Sequence, residues 1–206
     1  MNDAIQYFDV LDTVQCATAA ESNKIVVIRN YMDADTCNRV IKDAVLLTVP
    51  NLTQPDWKIP NFKSVWPQDC NFDYYRLSDP RALDSNAINI VYIKMQACMM
   101  LLQSLTGITN NKARYHLELL HYRDNGYFGR HRHDRDPQRF GIILQLSKLG
   151  VDHIAGGTVF YIDDKVIDIN QHSDQGDLII FKYDIEHEVT KVTGQTGRWT
   201  AVLPYY

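Results

Sequence analysis

The chain has little of what would divide, anchor or strongly charge it. No Pro/Gly/Ser-rich linker, shift in composition or internal repeat interrupts its 206 residues, a length that can bury one substantial core, so a single domain spanning 1–206 is expected. The formal net charge is only -4 and the basic residues are scattered except around His131, which argues against a nucleic-acid stripe or a membrane-surface patch. Cys16, Cys37, Cys70 and Cys98 are widely spaced and form no paired motif, a usage that fits free thiols in a reducing compartment better than a disulfide framework or a zinc site. Met1 to Val10 is polar and acidic, without the basic and apolar regions of a signal peptide, and no segment reads as approaching a membrane-spanning length. The expectation is a cytoplasmic protein with neither nucleic acid nor membrane among its partners.

What is present is unevenly distributed. Pro50, Pro55, Pro60, Pro67 and Pro80 fall between residues 50 and 82 among Trp57, Trp66, Tyr74 and Tyr75, the composition of an irregular aromatic loop. Such a loop is either a surface connection anchored by buried rings or a lid over a pocket. Before it, Ile25 to Ile28 is a short β-branched run, and Asp33 or Asp35 is placed to cap a helix whose apolar positions include Val40, Ile41, Ala44 and Val45. After it, Ser85 is placed to cap the strongest helical pattern in the chain, in which Ile88, Tyr92, Met95, Met99 and Leu102 recur at helical spacing and Gly107 supplies a stop. From Arg114 the period changes: Tyr115 to Tyr122, Phe140 to Leu146, Thr158 to Ile162, Leu178 to Phe181, Glu188 to Val192 and Arg198 to Leu203 read as strands separated by turn residues. Helical support and the aromatic loop therefore occupy 1–110, and an antiparallel sheet follows over 111–206.

One cluster carries chemistry. His131, Arg132, His133, Asp134, Arg135 and Asp136 are followed at a distance by His187 and Arg198. Two separated imidazoles and a nearby carboxylate can hold a ferrous ion on one face and leave its other positions open, as oxygen activation requires. An arginine then offers a fixed fork for the far carboxylate of a diacid. Alternation along an extended chain points His131 and His133 to one side and Asp134 to the other, unless the backbone bulges there. The plain alternative is a set of surface histidines in a charged turn. Arg130, Arg132 and Arg135 read as contacts for an acidic substrate or as a solvated rim. His116, His153 and His172 have no partner at metal-ligand spacing, His121 is expected on the strand face opposite Tyr122, and all four are expected in core or solvated roles.

The second half resembles the Fe(II) and 2-oxoglutarate dependent dioxygenases, particularly their compact prolyl-hydroxylase-like branch. The resemblance rests on ordered segments: Tyr122 with Asn125, Gly126, Tyr127 and Phe128 before the first histidine; Arg139 to Leu146; Gly156, Gly157, Thr158, Val159 and Phe160; Gly176 to Phe181; His187, Glu188, Val189 and Val192; and Gly197, Arg198, Trp199 and Thr200. It implies that His131 is the first iron ligand, His187 the distal one, and Arg198 the residue that binds the far carboxylate of 2-oxoglutarate, with Thr200 and Tyr122 assisting it. The departure lies at the second ligand, where the family signature places an aspartate two residues after the first histidine and this chain has His133. Three readings follow: His133 ligates and makes an all-histidine face; Asp134 swings in through a local bulge; or His133 is the first ligand and Asp136 the acid. Alternation favours His133, then Asp134. An imidazole in place of a carboxylate raises the net positive charge of the iron centre. It also fills, and does not vacate, the position a halide would take, which disfavours halogenation.

The fold class the resemblance implies is α+β, mainly β, a double-stranded β-helix (jelly roll) buttressed by N-terminal helices. The implied cofactors are Fe(II), 2-oxoglutarate as co-substrate and O2, and the implied activity is hydroxylation of an unactivated C–H bond. Compactness favours a small-molecule substrate such as a free amino acid or metabolite. Prolyl-hydroxylase-like modification of a peptide, a three-histidine metal dioxygenase that needs no 2-oxoglutarate, and a catalytically silent metal-binding module are the alternatives.

Overall fold

The computed structural model describes residues 3–47, 69–77, 81, 83–105, 116–133 and 140–203. Among them the strands form two sheets. The larger holds β1 (Ile5–Phe8), β2 (Ile25–Ile28), β4 (Asp73–Leu77), β5 (Leu117–Tyr122), β7 (Phe140–Gln145), β10 (Leu178–Lys182) and β12 (Arg198–Val202), in the order β1-β2-β10-β7-β12-β5-β4. The smaller holds β3 (Cys70–Asn71), β6 (Tyr127–His131), β8 (Thr158–Ile162), β9 (Lys165–Asp168) and β11 (Glu186–Val189), in the order β3-β6-β11-β8-β9. Only β1 and β2 pair in parallel; every other ladder is antiparallel. The protein is mainly β, with α1 (Thr13–Glu21), α2 (Ala34–Leu47) and α3 (Asn86–Leu105) as its α-helices among the described residues.

The central strands of the larger sheet read as unbroken apolar runs because both of their faces are covered. Val26, Ile28, Leu144, Leu178, Ile180, Trp199 and Ala201 share one core with Cys16, Val40, Ile88, Met95 and Met99 of the helices. The alternate residues Ile25, Val27, Ile143, Ile179 and Phe181 turn the other way and pack with Phe160, Ile162 and Ile167 of the smaller sheet. A third cluster, Leu120, Tyr122, Phe128, Val189 and Val192, continues the space between the sheets. The side chains of the candidate site come from the strands that line this inter-sheet layer, β5, β7 and β12 on one side and β6, β8 and β11 on the other, and from His133 just past β6.

The helix starts follow capping chemistry. Asp33 accepts from the Thr36 N–H at 2.7 Å, and Ser85 accepts from the Ile88 N–H at 3.2 Å, as the sequence predicts. Asp12 does the same for α1, accepting from the Gln15 N–H at 3.0 Å. The expectation that no segment approaches a membrane-spanning length is corrected by α3, whose 20 residues are long and apolar enough by composition alone. Its stripe Ile88, Val91, Met95, Met99 and Leu102 is fully buried against the rest of the core, the placement of a core helix. Residues 69–77 of the expected irregular loop instead form β3 and β4, which extend the two sheets at one edge. The remainder of that loop, apart from Arg81, and the Gly107 stop lie outside the described residues.

Candidate metal centre and anion pocket

The histidines converge because of a parity error in β6. His187 of β11 pairs with His131, and Val189 pairs with Phe128, so two residues on β11 are matched by three on β6, a β-bulge. In a regular strand Phe128 and His131 would point to opposite faces. The extra residue turns both inward, where their rings stack with centroids 4.0 Å apart. Arg130 is left on the outer face, over the Tyr161 ring and paired with Glu186. His133 lies two residues past His131, its backbone N–H donating to the Tyr183 carbonyl at 3.4 Å and its ring stacked on Tyr183.

His131, His133 and His187 offer ligand atoms that all lie within 4.8 Å of one another. The ring of His187 is 6% exposed and is enclosed by Phe160 and Phe181. The His131 Nδ1–H donates to the Gly129 carbonyl at 2.8 Å and the His187 Nδ1–H to the Ile185 carbonyl at 2.8 Å. A carbonyl can only accept, so the proton sits on Nδ1 and the Nε2 lone pair of each ring is free to ligate. Burial lowers the proton affinity of His131, and burial together with the neighbouring His131 lowers that of His187 to about 3, which keeps both rings neutral. The His131 Nε2 is buried and has no hydrogen-bond partner. A buried nitrogen of that kind calls for a ligand, and neutral imidazoles suit a divalent first-row metal.

Arg198 begins β12 on the facing sheet and is 1% exposed. It sits directly across from Tyr122 in the β12–β5 register, with its guanidinium carbon 5.7 Å from the tyrosine ring centre. One nitrogen, Nη2, donates to Gln145 Oε1 at 2.9 Å and to Thr158 Oγ1 at 3.0 Å, so the side chain spans from one sheet to the other. Its Nε has no partner, and no carboxylate lies within ion-pair distance among the described residues. Burial lowers its proton affinity only to about 10, so it stays charged at neutral pH. Thr200, two residues on and buried, shares its face. Asp168 acts on the guanidinium only from beyond ion-pair distance; a buried guanidinium without a carboxylate in contact is costly, and its fork matches an incoming carboxylate.

Of the residues singled out in the sequence, the structure thus brings together His131, His133 and His187 in one group and Arg198, Tyr122 and Thr200 in another. Asp134 and Asp136 lie outside the described residues. Gln145 and Thr158 were missed; the signal for the first was an amide closing the apolar run of β7, an unusual position for an unpaired polar group. His121 has the structural role expected of it, stacked on Trp199 at 4.1 Å. His153, expected in a core or solvated role, is 2% exposed, with neither ring nitrogen hydrogen-bonded.

Solved structures share this architecture. A prolyl-4-hydroxylase from Pseudomonas putida superimposes with a TM-score of 0.72 over 94% of this chain and 97% of its own, at 13% identity. A prolyl hydroxylase from Trichoplax adhaerens, in complex with a hypoxia inducible factor oxygen degradation domain peptide fragment, gives 0.71 over 94% and 88%, at 14% identity. An oxidoreductase of the 2OG-Fe(II) oxygenase family from Burkholderia pseudomallei gives 0.58 over 98% and 94%, at 17% identity. No protein-family model matches the chain, and no curated protein matches it in sequence. The likeness is therefore one of fold: the chain has the fold of the 2OG-Fe(II) oxygenases and prolyl hydroxylases.

Proposed function

We propose that the chain is an Fe(II)- and 2-oxoglutarate-dependent oxygenase, folded as one domain over 1–206 around a double-stranded β-helix. The observation that carries this reading is the pairing, between the same two sheets, of three convergent histidines with a buried arginine that has no carboxylate partner among the described residues. The shared fold supports it. Bound iron and 2-oxoglutarate supply dioxygen activation coupled to decarboxylation of the keto acid, with succinate, carbon dioxide and a hydroxylated substrate as products.

The residues divide the work. His131, His133 and His187 hold the ion through neutral ring nitrogens, and the two backbone carbonyls behind His131 and His187 fix their orientation. Arg198 takes the far carboxylate, with Tyr122 and Thr200 lining the same pocket and Thr158 and Gln145 holding the guanidinium in place. Phe160 and Phe181 exclude water from the His187 side. A two-histidine, one-carboxylate set using Asp134 is the competing ligand assignment; the convergence of His133 with the other two rings favours the imidazole.

The substrate is a small molecule such as a free amino acid or metabolite, acted on in the cytoplasm. Hydroxylation of a peptidyl proline is the second reading, favoured by the two prolyl hydroxylases of like fold. The test is anaerobic addition of Fe(II) and 2-oxoglutarate. The proposal expects a charge-transfer absorption that needs both components, and substrate-stimulated succinate on admitting air. A spectrum that stays inert contradicts it, and oxidation without succinate points to a dioxygenase that uses no 2-oxoglutarate.

A further inference from the structure

The turn between β7 and β8 is built inside out. Val151 and Ile154 are 73% and 76% exposed, whereas the histidine between them, His153, is 2% exposed. The backbone enforces this arrangement. Gly150 N–H donates to the His153 carbonyl at 2.7 Å, Ile154 N–H donates to the Thr193 carbonyl at 2.7 Å, and Asp152 accepts from the Lys148 N–H at 2.7 Å. Ordinary patterning buries the aliphatic residues and exposes the imidazole. Here the imidazole is buried and neither Nδ1 nor Nε2 has a hydrogen-bond partner, so its desolvation is uncompensated in the structure as it stands.

Two further orphan groups belong to the same neighbourhood. Arg198 Nε and Gln145 Nε2 are also buried without partners, and Gln145 is held with its oxygen toward Arg198, so its NH2 must look elsewhere. The turn that carries His153 is tied to β12 next to Arg198, with the Ser147 N–H donating to the Trp199 carbonyl at 3.2 Å and the Trp199 N–H to Ser147 Oγ at 2.7 Å, and burial together with the Arg198 charge lowers the His153 proton affinity to about 4, with Asp152 opposing the shift. The His153 ring and Arg198 Nε, from a turn and from β12, thus leave unused N–H groups at a buried positive charge. Surplus N–H groups around a cation describe a seat for a carboxylate.

Resting on the functional reading above, we propose that His153 is a co-substrate-binding residue: its ring N–H, with Arg198 Nε, completes the pocket for the far carboxylate of a 2-oxo diacid. The imidazole adds an uncharged donor beside the guanidinium. It therefore separates a diacid from a 2-oxo monoacid of equal length, which has nothing to place there.

The test is calorimetric titration of the full chain loaded with Mn(II), using 2-oxoglutarate and 2-oxopentanoate as probes. His153→Leu is expected to weaken 2-oxoglutarate by about ten-fold or more, the loss of one hydrogen bond to a charged group, and to leave 2-oxopentanoate and Mn(II) binding unchanged. His153→Gln, which keeps an N–H donor, is expected to recover most of that affinity. Equal 2-oxoglutarate affinity in His153→Leu and the unsubstituted protein overturns the proposal, as does an equal loss for both keto acids. A readout without substitution guards against misfolding: in the Zn(II)-loaded protein the His153 ring 15N resonances must move on adding 2-oxoglutarate and stay put with 2-oxopentanoate, and any other pattern overturns it. If 2-oxoglutarate binds and Arg198→Ala abolishes that binding while His153→Leu leaves it unchanged, only the His153 assignment falls. If 2-oxoglutarate does not bind the Mn(II) form at all, the functional reading falls with it.

Discussion

His131 and His187 are direct partners across the β6–β11 ladder, with ring centroids 4.3 Å apart, and they share an inward face only because β6 carries one extra residue between Phe128 and His131. The pair therefore depends on backbone geometry as much as on side-chain identity. Each ring is tied by Nδ1 to a carbonyl two residues before it, Gly129 and Ile185, which leaves its Nε2 lone pair free to ligate.

Removing a ligand removes the ion. His131→Ala, His187→Ala and His133→Ala are each expected to bring the iron content of the purified, reconstituted protein to background, whereas Asp134→Ala retains it. Metal analysis after gel filtration checks this. Iron retained in His133→Ala but lost in Asp134→Ala transfers the second ligand to the aspartate.

Arg198→Ala is expected to weaken 2-oxoglutarate by about 2–5 kcal/mol, the usual loss when one partner of a desolvated, hydrogen-bonded charge pair is truncated, with iron affinity unchanged. Arg198→Lys should recover little, because an ammonium cannot reproduce the fork that reaches Thr158, Gln145 and a carboxylate together. Calorimetry on the Mn(II) form measures both.

Gly141 lies on β7 under the Phe181 ring, and a Cβ there would come within 2.2 Å of it. Phe181 in turn packs edge-on against His187, centroids 5.1 Å apart. Gly141→Ala is expected to destabilise the fold by about 1–3 kcal/mol, the range for overpacking a filled core, and to weaken iron binding by tilting His187. Urea unfolding and metal titration of one sample separate the two effects.

Acid should destabilise the metal-free protein. Unfolded imidazoles take up protons below about pH 6.5, but folded His153 does so only near 4 and folded His187 only near 3. The unfolded state binds more protons in that window, so stability is fully present above pH 6.5 and is lost as pH falls from there toward 4. Each histidine contributes a slope of roughly 1.4 kcal/mol per pH unit. Urea midpoints at pH 7.5, 6 and 5 check the sign, and a flat profile contradicts the burial of these rings.

Sequence periodicity revealed α3, α2 and most of the strands after Arg114, because those segments place large side chains on one or both faces. It missed α1, where Cys16, Ala17, Ala19 and Ala20 make a buried face from residues too small to mark a stripe. It also missed β4, whose five residues sit in a proline-rich neighbourhood but extend the larger sheet through β5. The three histidines were legible as residue types, and the grouping of His133 with His131 by alternation agrees with the convergence of their rings. What alternation could not foresee was the bulge before His131, which is a property of pairing with β11. The inward turn of His153 was hidden for a related reason, since it is set by backbone bonds to Gly150 and Thr193.

The most direct test is a crystal structure grown without oxygen in Mn(II) and 2-oxoglutarate. One ion is expected there, bonded to ring nitrogens of His131, His133 and His187, with the far carboxylate of the keto acid on Arg198. A carboxylate oxygen of Asp134 in place of His133, or a diacid seated away from Arg198, contradicts this arrangement.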